Sequence, residues 1–177
     1  MNINTMLTVK NTKVFITERL MTPAVATLKQ HNVQYIIHQY EHDVGNQLYG
    51  LEAAEKLGVN VEIVFKTLIV SIDNNQLVVA ILPVSSMLNM KLIAKAHGGK
   101  KAVMASPIQV ERTTGYILGG VSPIGQKKQL TTYIDSSIDK FTTVYVSGGK
   151  RGVELELSPD VLQSLTQATL VNLGQLK

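Results

Sequence analysis

Residues 63–70 read "IVFKTLIV", a run of aliphatic and aromatic residues broken by a single lysine. Such a run suits a strand. Extended through Ser71 and Ile72, its alternation puts Val64, Lys66, Leu68, Val70 and Ile72 on one face and Ile63, Phe65 and Ile69 on the other. Both faces are apolar, the pattern of a central strand covered on both sides. An unpaired buried ammonium is costly, and it normally finds an anion or loses its proton. Lys66 therefore has two readings. Its stem carries the charge out to solvent from near the strand's start, or it faces a cavity that receives something negative.

Outward from this strand, "QLVVAIL" follows after Asp73-Asn74-Asn75, and the two runs form a hairpin. Other strand-like runs are Val33–Tyr40, Lys101–Met104, Tyr116–Leu118, Leu130–Ile134, Phe141–Val146, Val153–Leu157 and Thr169–Leu173. Thr22-Pro23, Ser106-Pro107 and Ser158-Pro159 each pair a capping hydroxyl with a proline suited to the first helical position. They predict helices over 23–31, 107–113 and 159–167. Two more are expected over Leu51–Leu57, stopped by Gly58, and Asn89–His97, stopped by Gly98. Several connections are too short for a parallel crossover. The expectation is a mixed α/β fold, a curled mixed sheet with helices packed outside.

A chain of 177 residues suits one domain, and one of that size buries roughly 70% of its unfolded surface. The first clear helix starts only at Thr22, so residues 1–20 read as an N-terminal extension and 21–177 as the domain. Hydrophobic residues make up 45% and charged ones 17%, which excludes a disordered or fibrous chain. There is no cysteine, hence no disulfide, thiolate nucleophile or zinc–sulfur site. The start lacks the apolar core of a signal peptide and no stretch approaches a membrane span, so a cytoplasmic location is expected. The net charge of +4 is mild. Its placement is more telling: Lys100-Lys101, Lys127-Lys128 and Lys150-Arg151 each sit beside a glycine-bearing loop. These pairs are either solvated turn charges or contacts for a phosphate backbone.

Several catalytic patterns are absent. "SGGKRG" at 147–152 puts Arg151, not a hydroxyl residue, after Lys150, and no glycine stands at 144, so the Walker pattern fails. No G-x-S-x-G elbow or H-E-x-x-H occurs. His38, Tyr40 and His42 alternate along one strand, but no carboxylate cluster completes a metal set around them. No metal or cofactor is called for. In "GYILGGVSPIG", residues 115–125, the glycines bring bare backbone N–H groups to a bend, where they can hold a carboxylate, phosphate or oxyanion, or simply form a turn.

The blocks "TPAV", "YEHD", "FKTLIV", "RTTGYILGGVSPIGQKK" and "TVYVSGGKRGVELEL", in this order over residues 21–173, resemble the bacterial YbaK family. These proteins are free-standing relatives of the editing domain of prolyl-tRNA synthetase. The resemblance implies a barrel-like mixed sheet surrounded by helices. It implies trans-editing, the removal of mischarged cysteine from tRNA(Pro), with Cys-tRNA(Cys) a second candidate. The competing readings are a deacylase for alanine or serine and a non-catalytic tRNA-binding module. Aminoacyl-tRNA is the implied partner, with prolyl-tRNA synthetase a candidate third member of the complex. The family's essential lysine matches Lys66, and its glycine loop matches Gly119 to Pro123, with the Gly119 and Gly120 amides taken as oxyanion donors. Tyr40, Tyr49, Thr67, Ser122, Pro123, Ser147 and Glu154 are the implied substrate contacts. Lys100, Lys101, Lys127, Lys128, Lys150 and Arg151 are the candidate tRNA contacts. Two departures stand out: Glu154 replaces the usual aspartate, and "VGNQLYG" differs from the common pattern although Tyr49 keeps its aromatic. With no triad in the chain, the implied nucleophile is the substrate's own thiol.

Overall fold

A computed structural model of the chain describes residues 8–9, 12–13, 20–73 and 75–175. The hydroxyl–proline pairs start helices as expected. Thr22, Ser106 and Ser158 each accept a backbone N–H three residues on, at the starts of α1 (Pro23–Gln30), α4 (Pro107–Thr114) and α5 (Pro159–Thr166). Ser106 and Gln109 complete a reciprocal capping box. Between these lie α2 (Tyr49–Leu57), closed by a left-handed Gly58, and α3 (Met90–Ala96). α2 begins before the expected Leu51. Gly50 does not break it, because bare Gly50 lets the first turn press onto Val84, which any side chain there would strike.

The strands are β1 (Thr8–Val9), β2 (Thr12–Lys13), β3 (Ile36–Gln39), β4 (Val64–Ile72), β5 (Gln76–Pro83), β6 (Met87–Leu88), β7 (Ala102–Met104), β8 (Thr132–Asp135), β9 (Val144–Lys150), β10 (Val153–Leu157), β11 (Thr169–Val171) and β12 (Gly174–Gln175). The main sheet runs β11-β8-β5-β4-β9-β10-β3. It is mixed: β4–β9, β5–β8 and β8–β11 are parallel, while β4–β5, β9–β10 and β10–β3 are antiparallel. The path runs from β11 to β3 with no closing pair among the described residues, so the barrel-like expectation reduces to an open mixed sheet. The hairpin of β4 and β5 is as read. Asp73 and Asn75 turn it with positive φ, and Asn74 lies outside the described residues.

The expected strand Tyr116–Leu118 is instead a loop. Thr114 Oγ1 takes the Tyr116 N–H, and the Tyr116 hydroxyl donates to the Ile124 carbonyl, folding the segment onto its own loop. Short pairings not anticipated are β6 with β12 and β1 with β2. Most of the expected extension, 1–20, lies outside the described residues; Leu20 is buried in the main core, so the packed domain reaches back at least that far.

β4 is the hinge of the design. Phe65 and Ile69 enter the main core with Val25 and Leu28 of α1, Val110 of α4 and Leu162 of α5. On the opposite face, Val64 packs with Ala53 and Ala54 of α2, whereas Val70 and Ile72 pack with Ile93 of α3. Lys66 falls between these two covers. The edges divide similarly. β5 pairs along one edge from Phe65 to Ile72, but on the other β9 reaches only Val64–Phe65 and β7 only Val70–Ile72. A gap is left over Lys66–Leu68.

Candidate active site

That gap opens into a cavity of about 370 Å³, walled by β4 (Val64 to Leu68), the start of α2 (Tyr49 to Leu51), Val84, Leu118, Gly119, Val121, Ser147 of β9 and Glu154 of β10. Lys66 lines it, with its stem half-buried and Nζ donating to the Ser86 carbonyl at 2.5 Å. The cavity-facing reading of Lys66 therefore holds over escape to bulk solvent. Val64 O accepts from Val84 on the β5 side and Ile69 O from Ala105 on the β7 side. By the same alternation, the main-chain N–H and C=O of Thr67 face the unpaired gap. The Thr67 hydroxyl is buried with no partner among the described residues.

The glycine loop is built by close approach. Gly119 has φ +85°, and a Cβ there would lie 2.6 Å from the Tyr49 ring; glycine is required on both counts. A Cβ on Gly120 would crowd the main chain of Lys150 and Arg151 at 3.2 Å. The Gly120 N–H donates to the Ile117 carbonyl at 3.0 Å, which corrects its expected part as an oxyanion donor. The Gly119 N–H has no acceptor among the described residues. Arg151 clamps this wall: its guanidinium lies 5.1 Å from the Tyr49 ring centroid and donates from Nε and Nη2 to Leu118 O at 3.2 and 2.8 Å. His42 packs on Tyr49 with centroids 5.6 Å apart. Tyr49 is thus stacked into the cavity wall.

Glu154 is 8% exposed and lines the cavity, with no hydrogen bond to its carboxyl among the described residues. Burial pushes its pKa up to about 8. Ser147, its cross-strand neighbour, also lines the cavity and accepts the Gly149 N–H at 3.2 Å. Other expected contacts stand outside the walls. Tyr40 packs beneath α2, and its hydroxyl is held above its ordinary pKa by burial first, then by the charges of Glu154 and Glu52. Ser122 is fully buried and caps Ile124, and Pro123 lines a different hollow with Thr27 and Leu130. The expected shared strand face stops short, since β3 ends at Gln39, and each imidazole meets one carboxylate: His38 with Glu156 and His42, beyond the strand, with Glu52, both at 2.7 Å. Among the described residues no three His, Asp or Glu side chains gather as a metal set.

The basic pairs separate. Lys150 and Arg151 stand against the glycine loop. Lys127 and Lys128 are tied by their amides to Thr114 and Thr113, with the Lys127 stem alongside Gly115. Lys100 and Lys101 give their amides to the Asp73 carboxylate, whose pKa those bonds lower. Their neighbour Ala102 pairs with Ile72, six residues and about 20 Å along β4 from Lys66. They are not at the mouth.

The aminoacyl-tRNA editing domain family matches residues 49–165, which hold all of this cavity's lining except Gln47 and Leu48. The chain belongs to that family. It is 39% identical over 145 residues, 82% of this chain and 88% of the relative, to EbsC of Enterococcus faecalis, provisionally named a Cys-tRNA(Pro)/Cys-tRNA(Cys) deacylase. It is 30% identical over 115 residues, 65% of this chain and 73% of the relative, to the uncharacterized YwhH of Bacillus subtilis. Among solved structures it superposes on a provisionally assigned trans-editing enzyme for prolyl-tRNA synthetase with TM-score 0.77 at 21% identity, covering 91% of this chain and 99% of that one. A hypothetical protein gives TM-score 0.78 at 25% identity, covering 87% and 100%. Among the described residues no helix is long and apolar enough to cross a membrane.

Proposed function

We propose that the protein is a trans-acting deacylase that cleaves cysteine from tRNA(Pro), and from tRNA(Cys) where that is presented. The observation that carries this is a lysine held inside a half-open cavity of about 370 Å³, walled almost entirely by residues of the editing-domain match. Such a space takes an aminoacylated terminal nucleoside while the stem stays outside. Lys66 meets the phosphate or ribose oxygens of that nucleoside. The cysteine sulfur attacks its own carbonyl carbon, the ester C–O bond breaks, and the ribose oxygen leaves with the thiol proton. The product is a four-membered thiolactone that water opens. The Gly119 and Thr67 amides receive the carbonyl oxygen as it becomes negative; one such donor is typically worth about 3 kcal/mol. Glu154, neutral near pH 7, donates to the ribose or the amino group. Lys150 and Arg151, with Lys127 and Lys128, guide the acceptor end, and Lys100 and Lys101 stay clear of it. Prolyl-tRNA synthetase is the third member of the complex in this reading, since the cavity reads only the terminal residue, and the cytoplasm holds these substrates.

A panel of tRNAs charged with cysteine, alanine, serine or proline tests this. Cysteine should leave fastest by a wide margin. Equal or faster loss of alanine would reassign the specificity, and no turnover of any would leave a binding module.

A further inference from the structure

Lys66 is held by a carbonyl that is itself held from outside the editing domain. Ser86 lies in the turn between β5 and β6. Its N–H donates to Pro83 O, and the neighbouring Val84 N–H donates to Val64 O beside the cavity. On its other side the turn meets the C-terminal segment. Gly174 pairs with Leu88, and an added Cβ on Gly174 would lie 3.2 Å from Ser86 Cβ and 3.3 Å from its Oγ. That segment is anchored in turn. Asp135 Oδ2 accepts the N–H groups of Leu173 and Gly174 at 2.8 and 2.9 Å, and Oδ1 accepts from Ser137 at 3.0 Å. Asp135 is 6% exposed at the end of β8, and these donors hold its carboxyl below the usual range against the cost of burial. A hollow of about 220 Å³ lined by Ser85, Ser86, Asp135 and Gly174 lies behind the turn, so the turn has room to retreat when its support moves. Residues 173–174 lie beyond the span 49–165 of the family match.

We propose that the C-terminal segment Leu173–Gly174, anchored on Asp135, is a positioning element that fixes the Ser86 carbonyl and through it the Lys66 ammonium. The bare Gly174 is the contact that sets the distance. Its φ is not in the left-handed region, so alanine is compatible with its backbone and the only strain it adds falls on Ser86. The catalytic consequence rests on the function proposed above; the hold on Lys66 does not.

The test therefore has two readouts. In protein with 15N-labelled lysine, the Lys66 ammonium signal is identified by its loss in Lys66→Ala. Gly174→Ala should shift or broaden that signal while the melting transition stays cooperative. The same substitution in a Ser86→Gly background, where the crowded Cβ is gone, should leave the signal where Ser86→Gly alone puts it. In deacylation, Gly174→Ala should lower kcat roughly 10-fold with KM little changed, and should cost less than about 2-fold in the Ser86→Gly background. A Lys66 signal unmoved by Gly174→Ala overturns the hold. A signal that moves without any change in rate leaves the hold standing and removes the catalytic part assigned to Lys66.

Discussion

The two halves of β4 differ in what their neighbours withhold. From Val70 to Ile72 the strand is paired on both edges, by β5 and β7, and lies buried with Ile93 of α3. From Lys66 to Leu68 the alternation and hairpin partner are the same, but β9 has ended, β7 has not begun, and Lys66 falls between the covers of α2 and α3, with Leu68 only partly buried against the α3 side. One half is structure and the other is site, on a single uninterrupted strand. The strand supplies rigidity, and the missing neighbours supply the cavity.

Lys66→Ala should separate the halves most strongly. Deacylation should fall by about 10²-fold or more, while the fold survives because a charge leaves a half-buried position. Ile72→Ala should do the reverse, costing about 3 kcal/mol in a denaturant titration with the rate per folded molecule unchanged. If Ile72→Ala slowed chemistry as much as it weakened the fold, the halves would not be separable.

The basic pairs extend the contrast to the surface. Arg151→Ala removes both the bonds to Leu118 and the stack on Tyr49, and should lower deacylation roughly 10-fold by loosening the wall. Lys100→Ala with Lys101→Ala, at the closed end of β4, should change rate and tRNA affinity by less than about 2-fold, measured in the same buffer because such contacts depend on salt. A larger loss there than at Arg151 would move the tRNA footprint to the wrong end of the strand.

Glu154→Gln gives a smaller effect with a defined sign. The native carboxyl ionises near pH 8 and an unfolded one near 4.5, so the native state holds the extra proton between them and stability falls as pH rises through that window. Glutamine lacks this liability. The variant should gain on the parent progressively as pH rises from 4.5 to 8 and level off above it. A constant difference from pH 5 to 8 would mean that Glu154 ionises normally.

What the sequence made legible was local. Thr22, Ser106 and Ser158 cap their helices with groups three residues away, and the lysine inside "IVFKTLIV" marks an exception that periodicity exposes. What it hid was non-local. The gap beside Thr67 depends on where β9 and β7 stop, and the Arg151 clamp joins residues 33 apart. Tyr116 has the composition of a strand residue, but its hydroxyl finds Ile124 and the segment becomes a loop. In sequence a glycine pair signals freedom for a bend, whereas Gly119 and Gly120 equally mark where Tyr49 and the β9–β10 hairpin come too close for a side chain.

The central claim is that the cavity supplies a fixed charge and amides while the substrate supplies the nucleophile. It is tested most directly by single-turnover deacylation, at saturating protein, of tRNA(Pro) carrying cysteine and of the same tRNA carrying S-methylcysteine. The account predicts that the methylated substrate binds and is cleaved slower by about 10²-fold or more, because its sulfur can no longer lose a proton and close on the carbonyl. Equal rates for the two would contradict it and return the attack to water or a ribose hydroxyl.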